Sequence, residues 1–235
     1  MKILNYFNKR DIALWVSSVT IIIASQIISS GDNILSVIAS LIGVTSLIFC
    51  AKGNPVGQVL MIIFSLLYGG ISYGFQYYGE MITYLGMTAP MAAISLVSWL
   101  KNPFKGKKSE VEVNSITGKE FVFSLFLTAV VTIVFYFILK YFNTPNLIPS
   151  TFSVATSFLA AYLTFRRSPY LSVAYALNDI VLIILWVMAT LTDKAYLSVA
   201  ICFMVFFVND IYCFISWMKM RKRQKADLLN DSSVV

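Results

Sequence analysis

The run PYLSVAYALNDIVLIILWVMATL, residues 169–191, decides the fold. Its 23 residues hold a single charged side chain, Asp179. A helix needs about 20 predominantly apolar residues to cross the hydrocarbon core of a bilayer, and this run supplies them. At 1.5 Å of rise per residue, Asp179 lies roughly 15 Å from the start of the run, close to the midplane. A carboxylate at that depth is costly to keep, so it marks a functional position by default.

Seven further runs of the same kind occupy residues 11–29, 33–51, 56–74, 78–100, 120–141, 149–165 and 195–218. Short connectors such as Ser30-Gly31-Asp32 and Thr192-Asp193-Lys194 make neighbouring spans antiparallel. The longest connector, residues 101–119, holds Pro103, Gly106 and a cluster of charges, and reads as a solvated loop. With the N-terminus inside, 16 of the 18 Lys and Arg residues fall on the inner side, and only Lys140 and Lys194 fall outside. Cytoplasmic segments carry such an excess. Both termini are therefore expected in the cytoplasm, with the spans in the cell membrane. The basic tail is expected to lie against anionic lipid.

Composition points the same way. The chain is 58% hydrophobic and 12% charged, with a mean hydropathy of +0.78, whereas soluble domains are about a quarter charged. The net charge of +7 does not argue for nucleic acid, because the basic residues sit between apolar runs rather than on one polar face. Histidine is absent, which removes His-based triads, metal sites and proton relays. Cys50, Cys202 and Cys213 lie inside apolar runs without disulfide or metal spacing. No catalytic residue, cofactor or metal is expected, and an intramembrane enzyme would have to work with paired aspartates alone. The first span lacks a small-residue cleavage site and is followed by more spans, so it is not read as a signal peptide.

The chain also resembles itself. Span 4 ends Ser98-Trp99-Leu100-Lys101 and span 8 ends Ser216-Trp217-Met218-Lys219, 118 residues later. At a slightly shorter offset Lys52-Gly53-Asn54-Pro55 resembles Arg166-Arg167-Ser168-Pro169. Spans 2–4 and 6–8 then form two three-helix units, residues 33–101 and 149–219. A loop and linker helix over 102–148 joins them, an extra helix occupies 1–32, and a basic tail occupies 220–235. The expected fold is all-α and polytopic, with eight transmembrane helices. Four spans separate equivalent helices, so the repeat is parallel, about an axis along the membrane normal, with the solute path between the units.

Span 8 carries a second Asn-Asp pair, Asn209-Asp210, about 8 residues from its inner end and so about 12 Å deep. It matches Asn178-Asp179 on span 7 in depth, and no Lys or Arg accompanies either pair. By helical spacing, Tyr175, Asp179 and Trp186 share one face of span 7, while Phe206, Asn209 and Tyr212 share one face of span 8. Tyr84, Thr88 and Met91 form a stripe on span 4. Aromatic faces beside amides and carboxylates suit a flat heterocycle joined to a sugar, because the ring stacks and the carboxylates accept from hydroxyls. The alternative is structural: Asn and Asp bond helix to helix, and Tyr and Trp form an interfacial belt. Trp99 is assigned to that belt. Gly69, Gly70, Gly74, Gly79 and Gly86 are expected at close helix contacts, and Pro90 at a kink.

Tyr78-Gly79-Glu80, Pro90-Met91 and Trp99-Leu100-Lys101, set in an eight-span arrangement with a three-one-three core, resemble the Pnu-type vitamin transporters over nearly the whole chain. The resemblance implies a fold related to the SWEET sugar transporters and a homotrimer. It also implies facilitated diffusion of an unphosphorylated vitamin or nucleoside that a cytoplasmic kinase then traps. Members that carry nicotinamide riboside have Trp-X-X-Trp near the inner start of span 7, where this chain reads Leu171-Ser172-Val173-Ala174-Tyr175. They commonly have Gln after the Pro-Met pair, where this chain has Ala92. Asn209-X-X-Tyr212 remains of the pattern. With the stacking surface changed, and Tyr175 and Trp186 as replacements, a deoxyribonucleoside is expected ahead of nicotinamide riboside, then thiamine or riboflavin. Asp179, Asn209 and Tyr212 are expected to hold the sugar.

Overall fold

The computed structural model describes residues 6–29, 34–74 and 77–232. Eight of its helices are long and apolar enough to cross a membrane. They are α1 (Lys9–Ile28), α2 (Ile34–Ala51), α3 (Val56–Gly74), α4 (Tyr78–Lys101), α5 (Gly118–Tyr141), α6 (Leu147–Phe165), α7 (Leu171–Thr192) and α8 (Leu197–Ser232). Each coincides with an expected span to within a few residues, except that α8 continues well past residue 218. The connector between α1 and α2 lies outside the described residues. Asn8 and Asp11 start α1 with a reciprocal capping box, each side chain accepting from the other's backbone N–H.

Helices α2, α3 and α4 pack together, as do α6, α7 and α8. Contacts of α2 with α8 and of α4 with α6 join the two triplets, α5 lies along α6, and α1 lies against α2 and α8. The lysines and arginines gather at one end of the bundle, called here the basic end. There Lys52 pairs with Asp11 at 3.0 Å, Arg166 pairs with Glu120, and Arg167 donates to Ser98 Oγ and the Glu112 carbonyl.

Helix α4 is not regular. Tyr78–Thr83 is α-helical, Tyr84–Thr88 is π-helical, and Ala89–Lys101 is α-helical again. Pro90 has no N–H to give to the preceding turn, and the widened turn takes up the mismatch. The expected kink is thus a π-helical turn. Of the five glycines expected at close contacts, two serve that purpose: a Cβ at Gly69 would meet Leu85 at 2.6 Å, and one at Gly79 would meet Thr144 at 2.5 Å. Gly70 and Gly74 face open space, and Gly86 has only Ile82 nearby, at 3.9 Å.

Two expectations at the basic end need correction, and a third gains a structural basis. The connector read as a solvated loop folds into an antiparallel hairpin of β1 (Pro103–Phe104) and β2 (Lys107–Val111). Lys105 and Gly106 turn it with φ of 47° and 74°, the left-handed pair that a two-residue type I′ turn requires. The basic tail, expected against lipid, is a helical extension that is also fastened to this hairpin, with Lys219, Lys222 and Lys225 exposed. Buried Gln224 donates to Glu110 at 2.7 Å and to the Val111 carbonyl at 3.0 Å, and accepts from the Val113 N–H at 2.8 Å. Arg223 also pairs with Glu110, and Lys105 with Asp231. Trp99, assigned to the interfacial belt, is 1% exposed and packs among Cys50, Leu163 and Trp217.

Candidate functional site

A cavity of about 50 Å3 lies between the triplets, bounded by α2, α3, α4, α6, α7 and α8. Its polar wall comes from α7 and α8. The Asn178 carbonyl accepts from Thr156 Oγ1 at 2.9 Å and from Ser157 Oγ at 2.8 Å, both on α6. That commits the carbonyl to α6 and leaves the NH2 end of the amide for the cavity. Asp179 and Asp210, 4% and 3% exposed, bring their carboxyls within hydrogen-bonding reach of each other. Asp179 Oδ2 receives no hydrogen bond from any described group. Among the described residues, no Lys or Arg lines the cavity. An aromatic cluster completes the lining: Phe64 meets Tyr84 edge-on at 5.9 Å and Phe206 at 5.8 Å.

The model of the family described as nicotinamide mononucleotide transporters matches residues 33–219 of this chain. The chain belongs to that family. It is a multi-pass membrane transporter and not an enzyme. The match covers both helix triplets and leaves α1 and the end of α8 outside. Over 218 residues the chain is 24% identical to a protein of Neisseria mucosa (strain ATCC 25996 / DSM 4631 / NCTC 10774 / M26), named nicotinamide riboside transporter PnuC, spanning 91% of this chain and 83% of that relative. The crystal structure of the vitamin B3 transporter PnuC shares its fold, with a TM-score of 0.80 over 93% of this chain and 94% of the other, at 22% identity.

Within this transporter fold, six of the ten residues singled out in the sequence meet at the central cavity: Tyr84, Thr88, Tyr175, Asn178, Asp179 and Asp210. The other four stand elsewhere. Trp186 shares the Asp179 face of α7, but seven residues place it about 10 Å further along, in a different cavity. Asn209 donates to Ser18 Oγ on α1 at 2.9 Å, and Tyr212 donates to the Asp11 carboxylate on α1. Steps of three residues drift around a helix by about 60° each, so Asn209 and Tyr212 leave the Phe206 side of α8 and reach the extra helix. Met91 packs with Met87, Leu139 and Val154 between α4, α5 and α6. The π-helical turn inserts about one residue, or roughly 100° of rotation, between Tyr84 and Met91, and turns Met91 away.

The cavity also takes residues that the sequence reading passed over, chiefly Phe64, Phe203 and Ser157. A weak signal existed for Ser157, because Thr156-Ser157 is a pair of hydroxyls half-way along its span, although Ser150, Thr151 and Ser153 stand close by in the same run. Phe64 and Phe203 carried none. With 18 phenylalanines in the chain, a ring at helical spacing does not stand out. Among the described residues, no group of three or more acidic or thiol side chains is placed to hold a metal.

Proposed function

We propose that this transporter carries nicotinamide riboside by facilitated diffusion. The observation that supports it is the buried carboxyl pair Asp179 and Asp210, facing a central cavity that no described cation lines. Nicotinamide riboside bears a permanent pyridinium charge, ribose hydroxyls and a carboxamide. Carboxylates attract the charge and accept from hydroxyls, aromatic faces receive the ring, and the Asn178 NH2 meets a carboxamide or hydroxyl oxygen. The mononucleotide in the family's description adds a phosphate that the same carboxyl pair repels, which favours the unphosphorylated riboside. The deoxyribonucleoside first expected from the sequence is neutral and gives these carboxyls no charge to balance. The name borne by the Neisseria relative also favours the riboside. The deoxyribonucleoside reading is therefore replaced.

In this reading the basic end faces the cytoplasm, both termini lie there, and a separate kinase traps the riboside by phosphorylation. A homotrimer, as the family resemblance implies, is part of the same proposal. The deciding experiment is calorimetric titration of the purified protein with nicotinamide riboside, nicotinamide mononucleotide and deoxyribonucleosides. Only the riboside is expected to bind tightly. Loss of a hydrogen bond to a charged group is worth about 1.5–3 kcal/mol, so Asp179→Asn should weaken that binding roughly 10- to 100-fold. Equal or tighter binding of a deoxyribonucleoside, or parental affinity in Asp179→Asn, would sink the reading.

A further inference from the structure

Two turns beyond Asp179, towards the end of the bundle opposite the basic one, lies a second cavity that the carboxyl pair does not touch. Three rings close on one another there: Tyr77 and Trp186 at 5.4 Å, Trp186 and Tyr196 at 5.6 Å, and Tyr77 and Tyr196 at 5.5 Å. Tyr68 completes the box, edge-on to Trp186 at 6.4 Å. Serines from several helices, among them Ser25, Ser40 and Ser72, supply hydroxyls to its walls. Among the described residues, no charged side chain lines it.

Two polar atoms in this box have no described partner. Trp186 is 3% exposed, yet its indole Nε1 donates to no described group, and the hydroxyl of buried Tyr68 has no described partner either. Buried donors without acceptors are rare and costly, and each calls for a reason. Phe in place of Tyr68 would fill nearly the same space without that cost, and an apolar side chain at 186 would avoid it there. Two unmatched donors in a box of ring faces match a flat aromatic cation that also carries acceptor oxygens. Ring faces attract a cation, and an indole N–H and a phenol suit a carboxamide oxygen or a ribose hydroxyl.

We propose that this aromatic box is a second binding station, which takes the pyridinium ring of nicotinamide riboside before the central cavity does; this rests on the substrate reading above. A single aromatic layer divides the two stations. Tyr68 lines the box and Tyr84 lines the central cavity, and their rings stand 4.6 Å apart. The box encloses about 30 Å3, room for about one water. The ring therefore gains admission as the half-buried rim residues Tyr77 and Tyr196, at the start of α4 and in the turn before α8, swing aside.

The test uses the full chain labelled with 5-fluorotryptophan, whose four tryptophan resonances are assigned by single Trp→Phe variants and followed by fluorine NMR. Titration with nicotinamide riboside should move the Trp186 resonance both in the parent and in Asp179→Asn, whose central cavity is impaired. Trp15, Trp99 and Trp217 should stay still. The reduced, uncharged dihydropyridine riboside should need at least tenfold higher concentration to produce the same shift. In vesicles, Trp186→Leu should raise the KM for uptake at least fivefold, with Trp186→Phe recovering only part of it, because the ring face returns without the indole N–H. Calorimetric binding to the parent with a silent Trp186 overturns the station, as does a Trp186 shift that vanishes in Asp179→Asn. Failure of the substrate reading shows separately, as no calorimetric binding of the riboside to the parent at all.

Discussion

Trp99 and Trp217 stand with ring centroids 5.6 Å apart at the basic end, and each fastens the other's triplet. Trp99 Nε1 donates to the Thr164 carbonyl near the end of α6, and Trp217 Nε1 donates to the Cys50 carbonyl near the end of α2, both at 2.8 Å. Cys50 and Thr164 are 114 residues apart, as are Gly53 and Arg167, which both take positive φ in the loops that follow. This reciprocity supports a parallel repeat as a proposal.

Replacing either indole removes one of two hydrogen bonds from its carbonyl, because the Arg167 N–H still donates to Thr164 and the Gly53 N–H to Cys50, a loss of about 0.5–1.5 kcal/mol. Trp99→Phe and Trp217→Phe are each expected to lower the apparent melting temperature in detergent by several degrees, with riboside affinity within twofold of the parent. Parental melting of both variants would show that the indoles fill space and fasten nothing.

Tyr212 and Asn209 both hydrogen-bond to α1. Tyr212 donates to Asp11, which also pairs with Lys52, and Trp15 of α1 donates to Thr45 Oγ1 at 3.1 Å. Such polar contacts are how helices associate inside lipid, where apolar burial gives no preference for a partner. Tyr212→Phe should therefore lower thermal stability by about 1.5–3 kcal/mol and leave the calorimetric Kd for riboside unchanged within twofold. A tenfold loss of affinity at parental stability would return Tyr212 to the binding site.

The spans were legible because each requires only a local count of apolar residues. The polar wall from α7 was legible because α7 is regular, so Tyr175, Asn178 and Asp179 keep their helical spacing. Met91 was not, since a π-helical turn cannot be seen in residue spacing, and Pro90 signals a break without saying which way the helix resumes. That Asn209 and Tyr212 face α1 was not legible for a different reason. Their types announce polar contacts, but the partners Ser18 and Asp11 lie about 200 residues earlier in a helix whose docking depends on tertiary packing. The hairpin had a brief signal in Lys105-Gly106, and the clamp from Gln224 had none.

Gln224 makes three hydrogen bonds to the hairpin that starts the segment between α4 and α5. Gln224→Ala leaves buried backbone groups at Val111 and Val113 unmatched, a penalty of about 1–3 kcal/mol each. The hairpin should then open to protease at Lys107 and Lys108 at least tenfold faster in limited proteolysis with trypsin. Cleavage at the parental rate would mean that the hairpin stands without the tail.

The charge distribution predicts sidedness. A cysteine placed at Gly106, whose surroundings leave room for a side chain although its φ of 74° favours glycine, should resist an impermeant thiol reagent in intact cells. One placed at Asp193, between α7 and α8, should react. Labelling at Gly106 and protection at Asp193 would invert the orientation and make Lys194 an inner residue.

The π-helical turn in α4 bears on rate. Thr88 Oγ1 donates to the Thr83 carbonyl at 3.3 Å, five residues back, and Tyr84 and Thr88 at the two ends of the turn both line the central cavity. The helix is held on either side of the turn, by Gly79 close against Thr144 and by the Trp99 indole on Thr164. A change of helical winding is therefore confined to the segment between them, which includes this wall of the cavity. The central cavity, at about 50 Å3, is smaller than a nucleoside, so substrate passage requires its walls to move, and a π-helical turn is a common place for such movement. Pro90→Ala restores the missing N–H donor and favours closure of the turn to α-helix. Thermal stability should hold or rise slightly, while the maximal rate of riboside uptake into vesicles falls about tenfold and the calorimetric Kd shifts by less. Uptake at the parental rate, with the closed helix confirmed by a crystal structure of the variant, would show that the widened turn only accommodates the proline.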